Sequence, residues 1–290
     1  MRRQLVLCLI LALAAPTVAV FSQTPAITVT RRARAVRPGE LVVLTVATRV
    51  PAESLAIDAF GRALVPHQAG PGSWRVLVGI DVSTTPGKYP VAIEAGSATA
   101  THMLVVAPRT FPTRTLRVDP AFVTPPPEAA ERIASEARRL AELWTLASEP
   151  LWEGPFVRPV PHAANSAFGT YSVFNGERRG QHGGADFRSP AGTPIRAPNA
   201  GRVVLADDLY YSGGTVVIDH GGGLLSLFAH LSRIEAEEGT LVKKGDAVGE
   251  VGATGRVTGP HLHWAVRVGG ARVDPLSLLA VLGPARPPKR

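Results

Sequence analysis

Two histidines separated by one residue, His261 and His263 in Gly255-Arg-Val-Thr-Gly-Pro-His-Leu-His-Trp264, are spaced for chemistry. A β-strand alternates its side chains, so both imidazoles would share a face with Ala265 and Arg267, while Leu262, Trp264, Val266 and Val268 point to a core. Two adjacent imidazoles suit a metal ligand and a proton-transfer group. A second arrangement lies upstream, where His182 and Asp186 stand four residues apart in His182-Gly-Gly-Ala-Asp186. Gly183 and Gly184 disfavour a helix and predict a tight loop that folds imidazole and carboxylate toward one point, a ligand combination suited to Zn²⁺. An N-cap aspartate beside a surface histidine would give the same spacing. His230 sits near the end of an alternating run in which Leu225, Leu227, Ala229 and Leu231 face one way and Ser226, Phe228 and His230 the other. By itself it would be a rim histidine without a duty. His220, just before three consecutive glycines, reads as a turn residue.

The elements expected to carry these residues are mostly strands. From about residue 154 glycines cluster among short apolar runs, with no long helical period. Asn175-Gly176 marks a hairpin turn. Strands are predicted over 201–206, 214–221 and 223–232, and 242–249 reads as a hairpin leading to the histidine pair. We take 153–282 as a C-terminal antiparallel β domain and 283–290 as a basic tail. Upstream, 23–110 shows the same habit: Trp74, Val76, Val78 and Ile80 alternate with Ser73, Arg75, Leu77 and Gly79, between proline-glycine turns. This spacing predicts an immunoglobulin-like β-sandwich without its cysteine pair. Asp58, His67, Asp81 and His102 are scattered through it and form no constellation. Between the two domains, 111–152 is a linker. It begins with a proline-rich, semi-rigid connector (111–127) and continues as a helix over about 128–148. Ile133, Ala137, Leu140 and Trp144 form its packing stripe, and Arg132, Glu136 and Arg139 another face.

Residues 1–22 carry the marks of an export signal: Arg2 and Arg3, an apolar run from Leu5 to Ala15, then small residues at Thr17-Val18-Ala19. The apolar run is short for a membrane span, so no stable span is expected once the signal is cleaved. The single cysteine, Cys8, lies inside this segment. A mature chain would have neither disulfides nor thiolate metal sites, so any metal must use His and carboxylate. Loss of Arg2 and Arg3 from the 31 Lys and Arg still leaves them in excess over 23 Asp and Glu. That charge suits an anionic cell envelope, whereas no aromatic-basic motif points to nucleic acid.

His182-Gly-Gly-Ala-Asp186, Val217-Ile-Asp-His-Gly221 leading to Phe228-Ala-His-Leu231, and Thr254-Gly-Arg-Val-Thr-Gly-Pro-His-Leu-His263 together resemble the M23 family of zinc metallopeptidases, the lysostaphin and LytM-like enzymes. The resemblance covers roughly the last 130 residues and keeps the order of the three motifs. It implies a LytM-type peptidase fold over 153–282, with one Zn²⁺ per chain held by His182, Asp186 and His263 and a catalytic pair of His230 and His261. Three protein ligands leave one tetrahedral position open, as in catalytic zinc sites. There is no HExxH glutamate, so an imidazole would be the base. His261, beside a ligand, is the expected base, and His230 would steady the tetrahedral intermediate. Val257, Ala265 and Phe228 stand where the family often has serine, glutamate and tyrosine. The implied substrate is the stem peptide of bacterial peptidoglycan, cut at a cross-link by a periplasmic or extracellular D,D-endopeptidase. We expect a monomer, with an envelope regulatory partner as an open question. The rival reading is a catalytically inactive relative that binds the envelope and activates a cell-wall amidase. Such relatives typically lack ligands, whereas this chain keeps all five residues.

Overall fold

Alternating apolar residues between tight turns close two antiparallel sheets on each other across residues 27–106. The computed structural model describes residues 26–49, 53–164 and 168–285. The expected signal segment and residues 286–290 of the tail lie outside the described residues. In chain order the first strands are β1 (Ile27–Ala33), β2 (Leu41–Thr48), β3 (Ala56–Ala59), β4 (Arg62–Ala63), β5 (Pro66–Gly70), β6 (Ser73–Gly79), β7 (Gly87–Ala95) and β8 (Ala98–Val106). One sheet runs β1-β2-β6-β5 and the other β4-β3-β7-β8. Val42, Leu44, Val46, Val76 and Val78 of the first pack with Ile57, Val91, Ile93, Leu104 and Val106 of the second.

The alternate residues of β2 and β6 are buried too, in a different core. Leu41, Val43 and Leu77 join the main core of the C-terminal region, with Phe156, Leu224, Val268 and Leu278. Gly79 lies so close to that region that a Cβ there would come within 2.6 Å of the Val268 carbonyl oxygen. Polar groups complete the joint. The carboxylate of Glu40, 0% exposed, accepts from Arg34 Nε (2.9 Å) and Nη2 (2.8 Å) and from Ser277 Oγ (2.8 Å). Arg34 also reaches Asp274, and Arg272 forks onto Asp81. Burial works to raise the Glu40 carboxyl, but hydrogen bonds and charge from Arg34 override it and hold it below the usual carboxylate range.

The connector is not a spacer. Residues 113–116 form β9 (Thr113–Leu116), which pairs in parallel with β10 (Tyr171–Phe174). The prolines at 112 and 120 only delimit this edge strand. Asn175 fastens the segment beyond it, accepting from Val118 N (3.1 Å) and donating to Val118 O (2.9 Å). The helix α1 (Ala130–Leu143) is shorter than 128–148. It packs through Leu140, Leu143 and Trp144, whereas Ala137 is exposed. The polar residues dock it as well: Arg132 bonds Asp208, Arg139 bonds Asp207 and Glu238, and Glu136 accepts from Tyr210 N.

The C-terminal strands continue with β11 (Glu177–Gln181), β12 (Gly184–Phe187), β13 (Pro194–Arg196), β14 (Gly201–Leu209), β15 (Gly213–Gly221), β16 (Leu224–Ile234), β17 (Leu241–Val242), β18 (Ala247–Val251), β19 (Leu262–Val268) and β20 (Ala271–Val273), followed by α2 (Pro275–Leu282). Their large sheet runs β12-β19-β16-β15-β14-β17, and β18 pairs with β13 and β16. Pairing within it is antiparallel, as the mainly β expectation requires. The turn at Asn175-Gly176 has positive φ at both residues (51° and 92°), the backbone of a tight hairpin between β10 and β11. The segment 242–249 is no hairpin: β17 pairs with β14 and β18 with β13 and β16, so the two diverge. Both faces of β16 are covered. Leu224 and Phe228 enter the main core, and Leu225, Leu227 and Ala229 pack under α1.

Candidate metal centre

Asp186 on β12 lies directly opposite His263 on β19, so antiparallel register brings carboxylate and imidazole together on one face. His182 enters from the end of β11, turned in by Gly183-Gly184. Gly184 belongs to β12 and not to a loop, and its lack of a side chain is required. A Cβ there would stand 2.7 Å from His263 Nε2 and 2.5 Å from the Trp264 carbonyl oxygen. The strand β19 begins at Leu262, so His261 sits at its entry, yet the inside-outside alternation of burial runs unbroken from His261 to Val268.

Three donor atoms then converge. His182 Nε2 is 3.0 Å from His263 Nδ1 and 3.0 Å from Asp186 Oδ1, and His263 Nδ1 is 2.9 Å from the same oxygen. Hydrogen bonding cannot satisfy this triangle. If both imidazole nitrogens donate to the carboxylate, they meet each other as two donors; if one is bare, the carboxylate loses a donor. A common cation resolves the conflict, and ligands of a tetrahedral zinc are about 3.3 Å apart, near the separations found. The residues present therefore fit a metal. The electrostatics agree: burial works to raise the Asp186 carboxyl, but its hydrogen bonds to His182 and His263 hold it well below the usual range. Burial pushes His263 down, so the neutral, ligating form is favoured.

Two further imidazoles face the same place. His261 Nδ1 donates to the Gly259 carbonyl (2.8 Å), which leaves Nε2 as the acceptor, 3.8 Å from Asp186 Oδ1. His230 Nδ1 donates to the Thr254 carbonyl (2.9 Å), and its ring lies 4.9 Å from that of His261 and 5.9 Å from that of His263. Burial, with the neighbouring His263 and His261, pushes His230 down to about 3. The strict alternation expected of its strand does not hold. His230 has a left-handed backbone (φ 69°), and there β16 changes partner from β19 to β18. This irregularity turns His230 into the same groove as Leu227 and Ala229 and sends Leu231 to the opposite core. His230 is thus a deep residue, 9% exposed, and not a rim one.

His220 has a different fate. It is fully buried at the end of β15, where Nδ1 donates to Ala200 O (2.8 Å) and Nε2 accepts from Ser226 Oγ (3.0 Å), so it belongs to the core and not to a turn. Phe228 is likewise a core residue, stacked with Trp264. Above the triangle opens a groove of about 370 Å³. The sequence reading missed several of its walls: Arg114, Leu116 and Val118 from the connector, and Tyr211 and Arg256 from loops. The only available signal was the two-residue spacing of Arg114, Leu116 and Val118, and nothing in the sequence names the strand they would pair with.

Residues 180–275 match the sequence profile described as Peptidase family M23. A crystal structure described as a peptidase M23 of Pseudomonas aeruginosa aligns with a TM-score of 0.67 at 31% identity, covering 86% of this chain and 96% of that one. Among curated relatives, the DD-carboxypeptidase/endopeptidase Mpg of Neisseria meningitidis is 42% identical over 97 residues, which are 33% of this chain and 22% of that protein. The peptidoglycan DD-endopeptidase ShyA of Vibrio cholerae is 42% identical over 98 residues, 34% of this chain and 23% of its own length. The match therefore spans less than a quarter of these two proteins.

Proposed function

The chain belongs to peptidase family M23, and on that premise we propose that it is an exported zinc metalloendopeptidase that hydrolyses peptide cross-links of bacterial peptidoglycan. The observation that carries this reading is the triangle of His182 Nε2, Asp186 Oδ1 and His263 Nδ1 at the floor of an open groove. Peptidoglycan as substrate is taken from the DD-endopeptidase relative ShyA, and a cell-envelope location is the one that such a substrate supports. Among the described residues no helix is long and apolar enough to cross a membrane.

His182, Asp186 and His263 would hold the zinc. When bound, it supplies Lewis-acid polarisation of the scissile carbonyl and acidifies the attacking water. His261 is the base: the Gly259 carbonyl fixes its tautomer, and Nε2 is free to take the water's proton and later deliver it to the leaving amine. His230, held by Thr254 through Nδ1 and kept neutral by burial, presents a bare Nε2 beside His261, so it would steady the tetrahedral intermediate only while it, in place of His261, holds the proton taken from the water. The left-handed backbone that places it is strain of the kind kept at functional sites.

Digestion of purified peptidoglycan with the chain, followed by mass spectrometry, tests the proposal. The expected products are stem peptides with new amino and carboxyl ends at the cross-link, absent with His263→Ala. Identical fragment spectra from both proteins would overturn it.

A further inference from the structure

The groove carries a charge pattern that the hydrolytic residues do not use. Among the described residues lining it, the only carboxylate is Asp186, which points into the donor triangle, while two guanidinium groups, Arg114 and Arg256, stand on its walls. A groove whose single negative group is committed to a metal, and which keeps two cations, favours an anionic ligand.

Both arginines are placed by the fold. Arg114 belongs to β9, where alternation turns 114, 116 and 118 inward and leaves 113, 115 and 117 exposed. Its Nε donates to the buried Ser172 Oγ (3.3 Å), and Nη1 lies 3.6 Å from Asp186 Oδ2, the oxygen not used in the triangle. Nη2 takes no partner among the described residues. Nε and Nη1 are therefore anchored, and Nη2 remains for a ligand in the groove that Arg114 lines. Arg256 is held flat between two rings, 4.8 Å from the Phe174 centroid and 4.6 Å from that of Tyr211. Its backbone N bonds to Tyr211 O. Stacking fixes the plane of a guanidinium, and a planar fork held in this way meets a carboxylate in plane.

We propose that Arg114, delivered by the interdomain connector, and Arg256 form a carboxylate-recognition pair that selects peptides bearing a free carboxylate beside the scissile bond over their carboxamide counterparts. This rests on the endopeptidase reading and deepens it: the substrate class is a cross-linked peptide with free acid groups. It also makes the connector a working part of the site, since removing β9 removes half of the pair.

The test uses the full zinc-loaded chain and two synthetic cross-linked stem-peptide dimers, identical except that one carries free carboxylates and the other carboxamides beside the cleaved bond. Rates come from chromatography of the products. Binding of both dimers to the zinc-stripped chain is measured by calorimetry. The wild type should favour the carboxylate dimer about tenfold in kcat/KM, the scale of one charge-assisted hydrogen bond. Arg114→Gln and Arg256→Gln should each collapse that ratio toward one while keeping one zinc per chain. Arg114→Lys, which keeps the charge without the fork, should give an intermediate ratio and serves if the glutamine variant does not fold. Equal rates for the two dimers in the wild type, or an unchanged ratio in both glutamine variants, would sink the pair. If the wild type cleaves neither dimer, the endopeptidase reading fails on its own, and the calorimetric ratio then decides the pair: a carboxylate preference lost in Arg114→Gln supports it, and equal or undetectable binding overturns it.

Discussion

The joint between the sandwich and the C-terminal sheet and the floor of the groove are both buried and polar, yet they are built on opposite terms. At the joint, Glu40 meets Arg34 and Ser277, Asp274 meets Arg34 and caps α2 through Leu276 N, and each charge has an opposite or a donor. At the groove floor three lone-pair donors crowd one point and no proton arrangement satisfies them. Saturated polar clusters specify how parts fit, whereas unsaturated ones mark where something binds. The same contrast separates two histidines of the large sheet. His220 has both ring nitrogens bonded, while His230 spends one on Thr254 and lines the groove with the rest of its ring.

Removing a donor should break the groove floor more severely than anything else. His263→Ala is expected to lose zinc, read by metal analysis, and at least about a thousandfold in cleavage rate, because without the metal both polarisation and water activation go. His261→Ala should keep one zinc per chain and lose about 10²–10⁴-fold in kcat, the usual worth of a positioned general base. Zinc loss in that variant would mean that His261 is a ligand. At the joint the currency is stability. Glu40→Ala removes the fully buried acceptor of Ser277 Oγ and one of the two carboxylates that hold Arg34, whose side chain is 29% exposed and keeps Asp274, so it should cost about 1–3 kcal/mol in denaturant unfolding, with zinc retained.

The most gradual effect is a pH dependence that sharpens the distinction. Burial pushes His220 down to about 4 from its ordinary 6.5, so the unfolded chain binds the extra proton first. Its stabilising contribution is complete above pH 6.5 and fades as pH falls toward 4, by about 3 kcal/mol in all. Glu40 and Asp81 are depressed carboxylates, for which burial is outweighed by bonds to Arg34 and Arg272, so their contribution holds above about pH 4 and is lost only below it. Melting temperature against pH should therefore fall in two stages, and His220→Gln should shrink the upper one, which the depressed His230 and His263 share, and leave the lower one in place. An unchanged upper stage would assign it to other groups.

Each half of the floor was legible from types and spacing: alternation puts His261 and His263 on one face, and the glycines between His182 and Asp186 let those two converge. That the halves meet across β12 and β19, 77 residues apart, was legible only through the resemblance. His230 was named, but its direction was not: one left-handed residue in β16 reverses the expected face, and no residue-type signal announces it. The connector was misread because proline density hides a four-residue edge strand whose partner lies more than fifty residues further along. The buried outer faces of β2 and β6 were not foreseen: β6 reads as alternating, with Leu77 on the outward side, and only the short apolar runs at 41–44 and 76–78 hint at cover on both faces.

Leu41, Val43 and Leu77 share one core with residues as distant as Leu278, and β9 walls the groove. The stretch that defines the family, residues 180–275, is thus smaller than the body that folds around it. A fragment cut to that stretch would carry all five imidazole and carboxylate groups yet bare the Val268 and Ala271 surface and lose one side of its cleft. Sequence kinship and structural independence have different borders in this chain, and grafting the catalytic stretch into another protein would require a substitute for the sandwich as well.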